Sequence, residues 1–253
     1  MLVESDGSEI RTGVSQPKEG TNEVSPILNQ PEKEKIIKWK DIRIGLARPS
    51  DAVAKTYIRK KDFYPEVIGQ LLNAAVLVGM TPETVVISVA DGGNGLKEEL
   101  EAQFENMQFS LDKTHLKNHL YDTAEQSGID KKDRPKWVKL KLEFISGGEV
   151  AKIKAELEEE YQRSENHRVK RLIGYIDRFY EALNYNEFKE KGYPIGSGEV
   201  ESAHKSAPQK RMKIPGACRH PESINPILAL RVLRADDWWK DFWEKRSEYK
   251  IAA

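Results

Sequence analysis

The chain has 253 residues, 41 basic and 41 acidic, so its net charge is zero and any affinity for nucleic acid must come from local clusters rather than from an overall field. That length suffices for one large domain or two small ones with a real core. The single cysteine, Cys218, excludes an internal disulfide and cannot build a thiolate metal site alone; no apolar run approaches the ~20 residues that span a bilayer, and MLVESDGSEI lacks the basic start and apolar core of a signal peptide. Composition therefore predicts a cytoplasmic, soluble protein with no membrane partner.

In chain order, Leu2 to Glu4 reads as the end of a strand, and Asp6-Gly7 as a turn into a second run in which Ile10, Thr12 and Val14 alternate with more polar neighbours. Ser15 to Lys35, polar and with three prolines, reads as a mobile loop. In Asp41 to Ala47 the alternation of Ile42, Ile44 and Leu46 with Arg43 and Gly45 predicts a half-buried antiparallel strand that Pro49 stops, and Val53 to Arg59 a third. From Tyr64 the apolar positions Val67, Ile68, Leu71, Leu72, Ala75 and Val76 have the spacing of a helix lying on a sheet, ended by Gly79.

Thr84 to Gly95, TVVISVADGGNG, then supplies an almost unbroken apolar run suited to a strand covered on both faces, with Asp91 at its carboxyl end. Asp-Gly is also an ordinary turn dipeptide. Leu96 to Phe104 reads as a short helix and Met107 to Leu111 as a strand ending at Asp112. From Leu116 to about Lys189 the sequence is rich in Lys and Glu and carries apolar stripes at Val150, Ile153 and Leu157 and from Val169 to Leu183, which predicts a helical block without strands. YPIGSG, Tyr193 to Gly198, is a connection into a new helix that Pro208 is expected to limit to about ten residues. Ile224 to Leu233 is helical in period and leads to Trp238, Trp239, Phe242 and Trp243, whose spacing predicts core rather than base-stacking side chains.

Three carboxylates are candidates for common chemistry: Asp6 at a first strand, Asp91 at the end of a central one, and Glu201 on a late helix. Carboxylates far apart in sequence that converge on a sheet edge suit two Mg²⁺ (or Mn²⁺) ions, which take hard oxygen ligands and stabilise the attacking and leaving oxygens of an in-line phosphoryl displacement. Asp112, His115 and His119 form D-x-x-H-x-x-x-H, whose sharper but less favoured reading is a transition-metal site. Between Ser202 and Pro221 no acidic residue occurs, while Lys205, Lys210, Arg211, Lys213 and Arg219 do. A run of this kind is often only a solvated face, but here it follows directly on Glu201, so DNA backbone contact is the favoured reading.

ESDGSEIRTG at Glu4 to Gly13, VADGGNGLKEEL at Val89 to Leu100, LDKTHLKNHLYDTAE at Leu111 to Glu125, YPIGSGEVESAHKSAPQKRMKIPGA at Tyr193 to Ala217 and LALRVLRADDWWKDFW at Leu228 to Trp243 together resemble the ISKra-type group of DDE insertion-sequence transposases. The resemblance implies an α/β, ribonuclease H-like mixed sheet flanked by helices. It assigns residues 1–115 and 190–253 to the catalytic domain, with a helical insertion at 116–189 before the last catalytic helix. It implies Asp6, Asp91 and Glu201 as the metal-binding triad, with Glu201 favoured over Glu199 because it directly precedes Ser202. By the same resemblance Asp112 and His115 lie beside the site and position a water or phosphate, while His119 caps or packs its helix. The implied activity is metal-dependent cleavage and strand transfer on double-stranded DNA, element ends and target alike, by a homo-oligomer that is nucleoid-associated when bound. Such transposases carry a further N-terminal region for recognising element ends, and only five residues precede Asp6. A truncated, catalytically inactive remnant acting as a DNA-binding module is therefore the alternative expectation, and a stand-alone nuclease a third.

Overall fold

The computed structural model describes residues 1–17, 33–52, 56–60, 64–93, 95–236 and 238–250. Five strands, β1 (Leu2–Pro17), β2 (Lys33–Arg48), β3 (Thr56–Lys60), β4 (Val86–Ala90) and β5 (Met107–Leu111), form one sheet in the order β3-β2-β1-β4-β5. β1, β4 and β5 run parallel, whereas β2 and β3 pair antiparallel. The helices are α1 (Tyr64–Leu77), α2 (Leu96–Gln103), α3 (Lys113–Gln126), α4 (Arg134–Ser146), α5 (Val150–Ser164), α6 (His167–Arg178), α7 (Tyr185–Glu190), α8 (Gly198–His204), α9 (Lys210–Met212), α10 (Ile224–Ala235) and α11 (Trp239–Lys250). The protein is α/β, a mixed sheet flanked by helices. Among the described residues no helix is long and apolar enough to cross a membrane.

Two compact units divide the chain: Met1–Glu4, Arg48–Ala52 and Ala75–Gly198 in the first, and Ser5–Ala47, Val53–Ala74 and Glu199–Ala253 in the second. The helical block at 116–189 shares a unit with β4 and β5, and the two share a core. Phe109 of β5 stacks on Phe179 at the end of α6, with ring centroids 6.1 Å apart. The fully buried Tyr185 of α7 donates its hydroxyl to the Leu111 carbonyl at 2.9 Å. Separating block from sheet would expose both rings and orphan that carbonyl.

In the first unit every residue of β4 is buried, because parallel partners flank it on both edges and helices cover its faces. The helical stripes fall as their spacing predicts: Val150, Ile153 and Leu157 of α5 and Val169, Leu172 and Ile176 of α6 are all buried. Lys141, itself buried, pairs with Glu156 and ties α4 to α5. In the second unit Ile10, Ile42, Met212, Ile224 and Leu228 form one core cluster, and Ile44, Leu46, Val200 and Ala203 another.

Four local expectations change. Asp6-Gly7 is not a turn: β1 is continuous from Leu2 to Pro17, and Gly7 does not have the positive φ of a tight turn. A strand held along its length by its neighbour β2 overrides a dipeptide preference. The strands also extend into the polar stretch expected as a loop, to Pro17 on one side and from Lys33 on the other, while residues 18–32 of that stretch lie outside the described residues, as do 53–55 of the expected third strand. Pro208 does not end the helix begun at Gly198. The chain widens into a π-helical stretch over Lys205–Gln209 and returns to α9, and a π turn relocates the carbonyl that the missing proline N–H would otherwise leave unpaired. Finally, Trp238, Trp239 and Trp243 are exposed rather than core, and Trp243 makes edge contacts with Trp239 and Phe242 in α11.

Leu157 is fully buried in the α5 stripe, so Leu157→Ala is expected to lower stability by about 3 kcal/mol, read as a fall in the urea midpoint without a change in slope; a loss below about 0.5 kcal/mol, the range of a surface substitution, would contradict this packing.

Candidate active site

The sequence candidates fall in both compact units. Asp6, Glu201 and the basic run belong to the second; Asp91, Asp112 and His115 belong to the first.

In the second unit Asp6 sits half-buried in β1, its Oδ1 accepting the Gly7 N–H at 2.7 Å. Its partner is His204, a buried residue that the sequence reading did not single out. His204 Nε2 lies 3.0 Å from the Asp6 carbonyl oxygen and 3.5 Å from Asp6 Oδ2, and Nδ1 lies 3.3 Å from Ser8 Oγ. A single tautomer satisfies this pattern: Nε2–H donates to Asp6, and Nδ1 accepts from the Ser8 hydroxyl, an assignment made from the hydrogen-bond network. Val200, Ala203 and His204 are the buried positions of α8, and Val200 and Ala203 pack on Ile44 and Leu46 of β2. Glu201 is three residues before His204, so it lies one turn from the imidazole that binds Asp6. Among the described residues its carboxylate makes no hydrogen bond or ion pair. Glu199, by contrast, is engaged elsewhere.

The basic run is less uniform than its sequence. Lys205, Lys210, Arg211 and Lys213 are exposed. Arg219 is half-buried and works as a clip on β1: its N–H donates to the Arg11 carbonyl at 3.2 Å, its own carbonyl accepts from the Gly13 N–H at 2.9 Å, and its guanidinium donates to the Arg211 carbonyl. Cys218 packs so closely on Gly13 that a side chain there would lie 2.5 Å from Sγ. Arg219 thus clips the end of the basic run to β1 through its backbone and guanidinium.

In the first unit Asp91 follows the last residue of β4 and folds into an Asx turn, Oδ1 accepting the Gly93 N–H at 3.1 Å. Its Oδ2 makes no protein hydrogen bond among the described residues. Gly92 is required by Tyr175: a β-carbon at position 92 would lie 2.5 Å from the tyrosine hydroxyl. Tyr175 also stacks on His119, centroids 4.2 Å apart, and on Phe179 at 5.0 Å. Burial and then the carboxylates of Asp91 and Asp112 push the Tyr175 pKa far above its ordinary value, so the phenol stays protonated and can only donate or accept as a neutral group. Desolvation is also the main influence on His119 and holds its pKa below the usual value against the pull of Asp122 and Asp91. His119 therefore packs, as expected, but on a tyrosine ring.

Asp112 is buried, and both its oxygens are engaged. Oδ1 caps α3 through the His115 N–H at 2.8 Å; Oδ2 accepts from the Ser197 N–H at 2.6 Å and the Ser197 hydroxyl at 2.9 Å. Its own N–H donates to the Ala90 carbonyl at 2.9 Å, which places it beside the end of β4. A metal site on Asp112, His115 and His119 does not form: among the described residues no group of three or more His, Cys, Asp or Glu side chains is arranged to hold an ion.

Comparison with known proteins adds no identity: no protein-family model matches the chain, and no curated protein matches it.

Asp112→Asn would turn an amide donor toward N–H groups that the carboxylate now satisfies. It should cost about 2–3 kcal/mol in urea denaturation and expose the first-turn amides of α3 to hydrogen exchange, whereas unchanged exchange there would show that the clasp is dispensable.

Proposed function

We propose that the protein is a DDE-type transposase that cleaves double-stranded DNA and joins the released 3′ end to a target by metal-dependent phosphoryl transfer. The observation that carries this is Asp91, which follows the carboxyl end of the fully buried parallel strand β4 and keeps one carboxylate oxygen without a protein partner among the described residues. The strand order β3-β2-β1-β4-β5, with three strands parallel and β2–β3 antiparallel, is compatible with a ribonuclease H-like catalytic fold, and the resemblance of the motifs to ISKra-type sequences supplies the substrate class.

Asp91 and Glu201 carry oxygen donors of the type a divalent cation takes, although among the described residues no group of three or more such side chains is arranged as a ready-made ligand set. Asp91 keeps one carboxylate oxygen without a protein partner, Glu201 keeps both, and hard oxygens of this kind are what Mg²⁺ or Mn²⁺ takes. Asp6, Asp91 and Glu201 would hold two such ions, which when bound stabilise charge on the oxygens of an in-line displacement. The chain's own contribution is positioning and charge. His204 fixes the backbone of Asp6 through its carbonyl, the Asx turn fixes Asp91, and Lys205, Lys210, Arg211 and Lys213 offer exposed cations along and beyond α8 that neutralise phosphates without reading sequence. Synapsis of two element ends calls for a homo-oligomer on DNA.

Nicking of a supercoiled plasmid carrying the flanking DNA tests this reading. Cleavage is expected with Mg²⁺ or Mn²⁺ and not with EDTA, and Asp91→Asn and Glu201→Gln should each reduce it by about 10³-fold or more, the scale on which groups acting as one unit fail. Salt-sensitive DNA binding with no cleavage under any metal would instead identify a DNA-binding module.

A further inference from the structure

A cleft of about 890 Å³ opens along α3 and α4, closed at one end by Ile195 and Gly196 of the connecting turn. That volume lies within the ~300–1,000 Å³ usual for small-ligand sites. Its character is mixed. Lys113, Lys117 and Lys139 bring three ammonium groups to the rim, Tyr121 presents an aromatic ring, and Val138 and Leu142 supply apolar wall. Glu143 is the one carboxylate of the lining, and it is engaged by Lys139 at 3.7 Å.

The other two lysines have no carboxylate among the described residues. Lys113 donates to the Ser146 hydroxyl at 2.7 Å, across from α3 to α4, and Lys117 lies 5.9 Å from the centre of the Tyr121 ring. Burial, and then the Lys189 ammonium, pull the Lys113 pKa below its ordinary value, so an anion entering beside it would relieve an existing electrostatic cost. A bare inorganic anion would use the lysines and leave the ring and the aliphatic wall idle. A nucleotide uses both, with its phosphate on the cations and its base on the aromatic face.

We propose that the α3–α4 cleft binds a nucleotide of single-stranded DNA, the phosphate held by Lys113 and Lys117 and the unstacked base lying on Tyr121 against Leu142. This deepens the DNA-processing reading and rests on it for the identity of the polymer. It adds a binding surface remote in sequence from the basic run of α8 and α9, and it gives the helical block a role in holding DNA.

The test is fluorescence anisotropy with 5′-fluorescein-labelled oligo(dT)12 in EDTA, comparing the full chain with Lys117→Glu and Tyr121→Leu, each checked for an unchanged melting temperature. The expected result is a loss of about tenfold or more in affinity for each variant, since stacking on one aromatic is worth ~1–3 kcal/mol and tenfold corresponds to ~1.4 kcal/mol. Calorimetry with free dTMP separates two sources of the same chemistry: binding of dTMP that these substitutions abolish indicates a free nucleotide, and binding of the oligomer alone indicates a strand, either of which supports a nucleotide site. Three results would overturn it: no oligonucleotide binding by the wild type, equal binding by wild type and both variants, or displacement by dodecaglutamate as effective as by unlabelled oligo(dT)12. Because EDTA removes the metal, a failed cleavage assay leaves this inference standing, and nicking without cleft-dependent binding overturns this inference alone.

Discussion

One buried carboxylate closes the largest excursion of the chain. Asp112 stands at the exit from β5, where its Oδ1 starts α3, and its Oδ2 holds the backbone and hydroxyl of Ser197 after five helices have intervened. The Lys113 N–H adds a bond to the Ile195 carbonyl at 3.0 Å. The loop so closed is long, but closure entropy grows only with the logarithm of length, so a few charge-assisted bonds in a buried setting, each worth ~1.5–3 kcal/mol, are of the right size to fix its ends.

Beyond the end of β4 a different logic holds: Asp91 is anchored by one carboxylate oxygen, through the Gly93 N–H, and its other oxygen has no protein partner among the described residues. Tyr175 covers Gly92 from above and excludes any side chain there. Such a site contrasts with Asp112, whose two oxygens are consumed. A carboxylate fully paired with N–H donors is an anchor; one with an oxygen in reserve can take a cation or a substrate proton.

Much of this was legible in the residues, and the failures have physical causes. β5 and the buried stripes of α5 and α6 fall where periodicity puts them, because apolar spacing is the signal that burial obeys. Asp91 was visible because it ends an unbroken apolar strand. His204 was not, although its place three residues beyond Glu201 and next to Ala203 on the apolar face of α8 was the available clue: a histidine on a buried face most often marks a local hydrogen bond, and its partner Asp6 is distant in sequence. Tyr175 was hidden for the same reason, since the glycine it covers is on another element. The tryptophans near the C-terminus misled because a spacing of one, three and four describes a helix face without saying what the face meets. Pro208 misled because the rule that proline ends a helix assumes α geometry throughout, and the backbone here widens into a π stretch to carry it.

The account's central claim is that Asp6, Asp91 and Glu201 hold catalytic divalent cations. Calorimetric titration of the full chain with Mn²⁺ measures this most directly, independent of any DNA. The account predicts saturable binding of two ions per chain that is weakened at least tenfold in Asp6→Asn, Asp91→Asn and Glu201→Gln, with the Glu199→Gln variant binding as the wild type does. Binding that is absent at millimolar Mn²⁺, or that survives all three carboxylate substitutions unchanged, would contradict it.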